Sequence, residues 1–131
     1  MMPNTINKPL DLYAPEEIDR LADQLAKDCT RDKLKTNQLR NFYAAILKIR
    51  TDITQGAEFQ DIKRTLIMLK PRLAYAAGRQ EAVNKHFYPV VKSAIEQVQT
   101  SQDQALGLEN FIFFFEALVG YHKYYENRKK H

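Results

Sequence analysis

Apolar residues recur at intervals of three and four along most of the 131-residue chain. This period is typical of helices that bury one face, and no stretch shows the alternation of a β-strand. The clearest stripe follows Thr36, a good N-cap residue, and ends at Gly56. Its members are Leu39, Phe42, Tyr43, Ile46, Ile49, the stem of Arg50 and Ile53. The side opposite this stripe carries Asn37, Arg40, Ala44 and Lys48.

Four further segments have the same period, so we predict an all-α fold of about five helices. The first begins at Pro15, the third near Glu58, and the fourth follows a break at Gly78. Pro71 lies inside the third segment, where it either kinks the helix or separates two helices. Pro89 lies inside the fourth segment, which we expect it to bend.

The last predicted helix, which runs to about Tyr125, is apolar on nearly every side. A broad stripe on it consists of Leu108, Phe111, Ile112, Phe115, Leu118, Val119 and His122. A second strip, built around small residues that allow another helix to approach closely, consists of Phe113, Ala117, Gly120 and Tyr124. This helix is therefore either central in the bundle or contacts another copy or another subunit through the second strip.

Length and composition indicate a single helical domain over residues 1–131, with residues 1–13 and 127–131 loosely ordered. The lone Cys29 cannot form an internal disulfide, and the first ten residues lack the apolar core of a signal peptide. We therefore expect a cytoplasmic protein. The longest apolar run, residues 111–120, has about half of the roughly 20 residues that span a bilayer, so no membrane partner is expected.

The residue types that usually carry catalysis or bind metals are scattered along the chain. His86, His122 and His131 lie far apart and form no zinc-binding motif with a cysteine. Ser93 and Ser101 have no identifiable base, and the four dispersed glycines form no phosphate-binding loop. We therefore expect no enzyme, and hence no catalytic residue, no metal site and no cofactor.

Basic residues are concentrated in the middle of the chain. Between Ile62 and Ala94 the single acidic residue is Glu81, whereas the basic residues are Lys63, Arg64, Lys70, Arg72, Arg79, Lys85 and Lys92. A polyanion is the natural partner of such a segment. The same distribution also fits a solvated basic surface without a partner, and charge alone does not separate these two interpretations.

Three stretches of the sequence carry a family resemblance. Residues 34–43 read LKTNQLRNFY, residues 69–79 read LKPRLAYAAGR, and residues 114–125 read FFEALVGYHKYY. In motif, order and spacing they resemble the small helical subunit of type III-A CRISPR effector complexes, the Csm-complex small subunit. The middle stretch is the most specific, and the match extends over residues 34–125.

The resemblance implies a helical, non-catalytic subunit that occurs in several copies along the inner side of an effector complex. Members of this family line the channel that holds the CRISPR RNA and the target RNA paired to it. Other subunits of that complex carry out RNA cleavage, DNA cleavage and second-messenger synthesis. The implied partners are therefore CRISPR RNA, target RNA, other subunits of the Csm complex and further copies of the chain.

A subunit that accepts any target sequence is expected to contact phosphates, because phosphates carry charge but no sequence information. The basic residues that we expect to make these contacts are Arg40, Lys48, Lys70, Arg72, Arg79 and Lys123. Each of them has an alternative role in an ion pair, a helix cap or a free surface. Tyr75, beside the basic cluster, either stacks on a base or packs in the core.

A second function remains open at the level of sequence. The chain could be a helical oligomeric adaptor that binds only protein, with its basic residues serving solubility. Such an adaptor would use the strip formed by Phe113, Ala117, Gly120 and Tyr124.

Overall fold

The computed structural model describes residues 6–129, and all regular structure within this range is helical. The elements in chain order are a 3-10 helix at Leu10–Leu12, α1 at Pro15–Arg31, α2 at Thr36–Thr54, α3 at Phe59–Arg79, a π-helical turn at Val83–Phe87, α4 at Tyr88–Gln99 and α5 at Gln104–Lys129. The predicted all-α fold with five helices is thereby confirmed.

The last helix, α5, is central in the bundle because it packs against α1, α2, α4 and the 3-10 helix. Phe111, Phe115 and Leu118 on its broad stripe are fully buried. The centroid of the Phe115 ring lies 6.3 Å from that of Tyr43, which stacks on it from α2, and 6.0 Å from that of Phe87. Because buried aromatic side chains contribute most apolar area to a core, α5 organises the fold.

The described residues near each end of the chain belong to the packed structure or to a helix. Ile6 and Leu10 are buried, and the Asn110 side-chain amide donates a hydrogen bond of 2.9 Å to the Leu10 carbonyl. Ile6 and Leu10 therefore anchor this segment on the bundle, and no local sequence pattern predicts this packing. At the other end α5 extends to Lys129 rather than to about Tyr125. Residues 1–5 and 130–131, which belong to the predicted loose ends, lie outside the described residues.

Helix α3 passes through Pro71 without a break, so the proline does not separate two helices. Pro71 lies on the exposed side of α3, where the carbonyl that lacks its amide partner can bond to water. Helix α3 ends at Arg79, one residue after the end that Gly78 predicts, and the extended Gln80 separates it from the following segment.

The fourth predicted helix begins with the π-helical turn at Val83–Phe87, in which the Tyr88 N–H donates to the Val83 carbonyl. Widening the helix just before Pro89 relieves the crowding between the proline ring and the preceding turn. This turn was not predicted from the sequence.

The connection between α1 and α2 is a tight turn that positions the start of α2. The Leu34 N–H donates to the Cys29 carbonyl at 2.9 Å, and the Lys33 N–H donates to the Thr30 carbonyl at 3.0 Å. This is the Schellman arrangement, and it places Lys33 in the left-handed region with a φ of 69°. Leu34 is buried, and its carbonyl oxygen lies 2.9 Å from His122 Nε2 of α5.

The start of α2 is capped one residue earlier than predicted. Lys35 is the N-cap residue, and its N–H donates to the Gln38 Oε1 at 2.8 Å, whereas Thr36 is the first helical residue. At the other end, Ile53 is 43% exposed and does not belong to the buried stripe. The predicted polar side of α2, which includes Arg40, is exposed.

Candidate nucleic-acid interface

A groove of about 480 Å³ lies between the start of α2 and the second half of α3, and we call it the α2–α3 groove. Its walls include Gln38 and Asn41 from α2, and Met68, Arg72 and Tyr75 from α3. None of the described residues that line it is acidic. The groove therefore combines apolar surface, amide groups and positive charge.

Arg72 and Arg79 lie on the same face of α3 because they are separated by two helical turns. The Arg72 guanidinium carbon is 5.8 Å from the centroid of the Phe42 ring, a distance at which a cation interacts with an aromatic face. Arg79 donates a hydrogen bond of 2.9 Å to the Tyr75 hydroxyl. Tyr75 is 67% exposed, so it is not a core packing residue.

Lys70 belongs to a different surface from Arg72 and Arg79. It lies on the side of α3 that faces α4, and its Nζ forms an ion pair of 3.1 Å with Glu96 Oε2. Lys92 Nζ lies 4.0 Å from the same carboxylate oxygen. The structure thus separates Lys70 from the two arginines with which the sequence groups it.

Lys48 also has an acidic partner. Its Nζ lies 3.1 Å from Asp52 Oδ2, one turn further along the exposed side of α2. The pair is exposed, so its contribution to stability is small, at about 0.3–0.5 kcal/mol. A phosphate that approaches Lys48 must nevertheless compete with this carboxylate.

Arg40 and Lys123 line a second and smaller groove, between α2 and α5, which we call the α2–α5 groove. Thr36 and Tyr43 contribute to the same groove. Both basic side chains are exposed. Lys123 follows Arg40 by 83 positions in the sequence, so only the packing of α5 on α2 brings them together.

Four of the six predicted RNA contacts share one property. Within residues 6–128 no carboxylate lies at ion-pair distance from Arg40, Arg72, Arg79 or Lys123. The first two turns of α2 lie between the two grooves, so Arg40, Arg72 and Lys123 flank one helix start. Arg79 is outside the lining of both grooves, but it bonds to Tyr75 of the α2–α3 groove. Sequence reasoning missed the amide side chains Gln38 and Asn41, although both occur in the stretch at residues 34–43 that resembles the known family.

The second strip of α5 is uncovered. Phe113 is 39% and Tyr124 is 56% exposed, which is unusual for large apolar side chains. No heavy atom beyond its own chain neighbours and helix backbone lies within 4 Å of the position that a Cβ on Gly120 would occupy. The strip therefore presents a shallow, largely apolar surface to solvent.

Two tyrosines beside this strip bond to α1. The Tyr121 hydroxyl donates a hydrogen bond of 2.6 Å to Asp19, and the Tyr125 hydroxyl donates to Asp23. The bond to Asp23 raises the pKa of Tyr125 to about 12, and the bond to Asp19 raises the pKa of Tyr121 in the same way. These bonds fix the edge of the strip against α1.

The titratable side chains of the described part of the chain form pairs rather than a metal-binding cluster. No cluster of three or more His, Cys, Asp or Glu side chains there could hold a metal ion. His86 Nδ1 lies 2.6 Å from Asp32 Oδ2 and joins the π-helical turn to the α1–α2 connection. Burial raises the pKa of the Cys29 thiol, which makes it unreactive. No described helix is long and apolar enough to cross a membrane.

A family model for Csm2 of type III-A systems matches residues 13–128, which is most of the chain. The chain belongs to the Csm2 family. It is thus a subunit of a type III-A CRISPR effector complex, as the sequence resemblance implies. Comparisons of the chain with curated proteins and with solved structures gave no match.

The three stretches that resemble the Csm2 family meet at the two grooves. Residues 34–43 form the start of α2, residues 69–79 the end of α3, and residues 114–125 the middle of α5. The first and second stretches line the α2–α3 groove, and the first and third line the α2–α5 groove. In this Csm2 chain the family-like residues therefore converge around the two grooves, where Arg40, Arg72 and Lys123 have no acidic partner among residues 6–128.

Proposed function

We propose that this Csm2-family chain is a non-catalytic structural subunit that binds RNA. It helps to line the channel for CRISPR RNA and target RNA, and its contacts to phosphate are independent of sequence. The observation that supports this most directly is that Arg40, Arg72 and Lys123 line the two grooves beside the start of α2, with Arg79 bonded to Tyr75 of the α2–α3 groove. None of these four cations has an acidic partner among residues 6–128.

The six basic residues are expected to contribute unequally to RNA binding, because only two of them have an acidic partner among residues 6–128. A cation without a carboxylate beside it loses only bound water and counterions when a phosphate arrives. Lys48 and Lys70 must in addition give up Asp52 and Glu96. We therefore propose that the four unpaired cations dominate RNA binding, and that Lys48 and Lys70 contribute less.

Two charge-matched double variants test this ranking. Arg72→Gln/Arg79→Gln removes two unpaired cations, whereas Lys48→Gln/Lys70→Gln removes two paired ones, so the net charge changes equally. The assay is fluorescence anisotropy of a labelled single-stranded RNA with the full chain over a salt series. Each phosphate contact to a single strand contributes about −0.7 to the log–log salt slope, so four contacts give about −2.8.

The arginine double variant is expected to bring the slope to about −1.4 and to weaken binding at low salt. The lysine double variant is expected to keep nearly the wild-type slope. Equal losses in both variants would show that only net charge matters and would refute the assignment to the grooves. Absence of salt-dependent binding by the wild type would refute RNA binding by the chain and favour the protein-only adaptor.

We propose further that the strip of Phe113, Ala117, Gly120 and Tyr124 contacts another copy of the chain. Its spacing is symmetric, because Phe113 precedes Ala117 by four residues and Tyr124 follows Gly120 by four. Two such helices packed antiparallel about a twofold axis place each Phe113 beside Tyr124 of the other copy. The small residues then meet at the centre, where close approach is possible.

Charge supports the same antiparallel arrangement. Glu109 precedes Phe113 by four residues, Arg128 follows Tyr124 by four, and both side chains are exposed. In the twofold arrangement each Glu109 lies at the same level as Arg128 of the other copy. Opposite charges therefore flank both ends of the apolar contact.

Sedimentation equilibrium of two glycine variants tests this contact. Neither Gly120 nor Gly78 has a heavy atom near its absent Cβ, and both residues are exposed, so we expect one copy to accommodate leucine at either position. Gly120→Leu is expected to weaken self-association at least tenfold because it separates the two helices, whereas Gly78→Leu leaves it unchanged. A monomeric wild type, or equal behaviour of the two variants, would contradict a contact between copies through this strip.

A further inference from the structure

The α2–α3 groove exposes two large apolar side chains that the bundle does not need. Tyr75 is 67% and Met68 is 56% exposed, and both lie in one groove wall formed by α3. Phosphate contacts alone require only the cations of that wall. An aromatic ring held open to solvent between two arginines indicates a ligand with a flat apolar face.

We infer that the α2–α3 groove binds an unstacked nucleobase, with Tyr75 as the stacking surface. This inference rests on the proposed RNA binding and adds a base to the phosphates that Arg72 and Arg79 contact. Tyr75 lies between these two arginines along the same face of α3. A base on the Tyr75 ring would therefore have a cation for the phosphate on either side of it.

The ring of Tyr75 is held in place before any ligand arrives. Arg79 donates to its hydroxyl at 2.9 Å, and the guanidinium carbon lies 5.5 Å from the ring centroid. Both groups belong to one helix, so the backbone beneath them is rigid. A side chain fixed in this way loses little conformational entropy when it stacks on a base.

The opposite wall supplies groups for the edge of a base. Gln38 and Asn41 project from α2, and Gln80 follows the end of α3. Amide side chains offer both donors and acceptors, so they can serve any of the four bases. The Gln38 Oε1 already accepts the Lys35 N–H, which leaves its NH₂ group free to donate outward.

The size and charge of the groove suit a nucleotide and disfavour a bound cation. Its volume of about 480 Å³ lies within the roughly 300–1,000 Å³ that is usual for small-ligand sites. Its described lining holds arginine and amides but no carboxylate. A flat base that carries a phosphate on each side uses all three kinds of surface.

The test compares two single-stranded RNAs of equal length and equal phosphate number, one intact and one abasic at its central positions. Binding of the full chain to both is measured by fluorescence anisotropy. The variants are Tyr75→Ala and Tyr75→Phe. Tyr124→Ala is the control for loss of an exposed tyrosine outside the groove, because Tyr124 lies on α5 and is 56% exposed against 67% for Tyr75. Arg72→Gln is included as a variant that removes a proposed phosphate contact and keeps Tyr75.

Wild type is expected to bind the intact RNA roughly tenfold more tightly than the abasic RNA, because one stacked base is lost. Tyr75→Ala is expected to abolish this preference, whereas Tyr75→Phe and Tyr124→Ala retain most of it. Arg72→Gln is expected to weaken binding to both RNAs and to leave their ratio unchanged. These outcomes separate base stacking from phosphate contact.

Equal, salt-dependent binding of both RNAs by the wild type would overturn the nucleobase site and leave the proposed phosphate contacts standing. An undiminished preference in Tyr75→Ala would also overturn it. No binding of either RNA would overturn the proposed function together with this inference. If Tyr75→Ala keeps the base preference but fails to join a reconstituted effector complex, the groove is a protein contact instead.

Discussion

Replacement of Gly107 by alanine probes the joint between α4 and α5. A Cβ at this position would lie 2.6 Å from the Ser101 Oγ and 3.0 Å from the Ser101 Cβ. Ser101 cannot turn away freely, because its hydroxyl donates to the Gln97 carbonyl at 2.8 Å and accepts the Asp11 N–H at 3.3 Å. The methyl group must therefore shift α5 or break these bonds.

The expected change in the free energy of unfolding is the balance of favourable and unfavourable contributions. Alanine gains up to about 1 kcal/mol over glycine in a helix. Overpacking costs about 1–3 kcal/mol, and each disturbed hydrogen bond of Ser101 costs about 1 kcal/mol more. We therefore expect Gly107→Ala to lower the free energy of unfolding by about 1–3 kcal/mol. Gly120→Ala meets no neighbouring atom and is expected to raise it by about 1 kcal/mol.

Urea unfolding followed by circular dichroism at low protein concentration measures both variants. A third variant, Gly107→Ala/Ser101→Ala, removes the clashing hydroxyl and is expected to be more stable than the sum of its single changes predicts. If Gly107→Ala proves as stable as Gly120→Ala, the Ser101 side chain moves at no cost and the reasoning is refuted. Gly120→Ala also bears on function, because it should stabilise one copy while weakening contact between copies.

Two further predictions concern single residues, the backbone angle of Lys33 and the hydroxyl of Tyr125. Lys33→Gly is expected to raise the free energy of unfolding, measured in a thermal melt, by about 1 kcal/mol, because glycine adopts the left-handed φ of 69° without strain. The control is Lys35→Gly, which should give no such gain because Lys35 is an N-cap residue with an extended backbone. Tyr125 is expected to ionise at about pH 12 in an absorbance titration of tyrosinate, and Asp23→Asn should bring its pKa down towards 10. Since the pKa of Tyr125 is raised on folding, the stabilisation from its bond is complete below about pH 10 and is lost as the pH rises towards about 12. A pKa of about 10 for Tyr125 would contradict the account of its bond to Asp23. A free energy of unfolding in Lys33→Gly no higher than that of the wild type would contradict the account of Lys33.

The fold class and the course of the helices could be predicted because both depend on neighbours three or four residues apart. The stripes of α2 and α5 are local patterns, and they are also the faces that the structure buries. Local caps were less predictable, since Lys35 rather than Thr36 caps α2 and a π-helical turn precedes Pro89. In each case a side-chain bond or a steric conflict decides between nearly equivalent local arrangements.

The candidate site was predicted residue by residue but not as an arrangement. The sequence names Arg40 and Lys123 separately, whereas the packing of α5 on α2 brings them to one groove. It groups Lys70 with Arg72, yet Glu96 from α4 pairs with Lys70 alone. The sequence leaves open whether Tyr75 packs in the core or stacks on a base, and the structure shows that its side chain is exposed.

The sequence by itself determines that this chain forms helices, which faces of them are apolar, and which family it belongs to. The tertiary structure alone decides which cations keep an acidic partner and which side chains share a groove. The physical reason is the separation along the sequence of the groups that interact. Helical hydrogen bonds join residues four apart, whereas ion pairs and grooves join helices that are far apart in the chain. Ile6 shows the same limit, since it is buried and its N–H donates to the Ser93 hydroxyl of α4, 87 residues away in the chain.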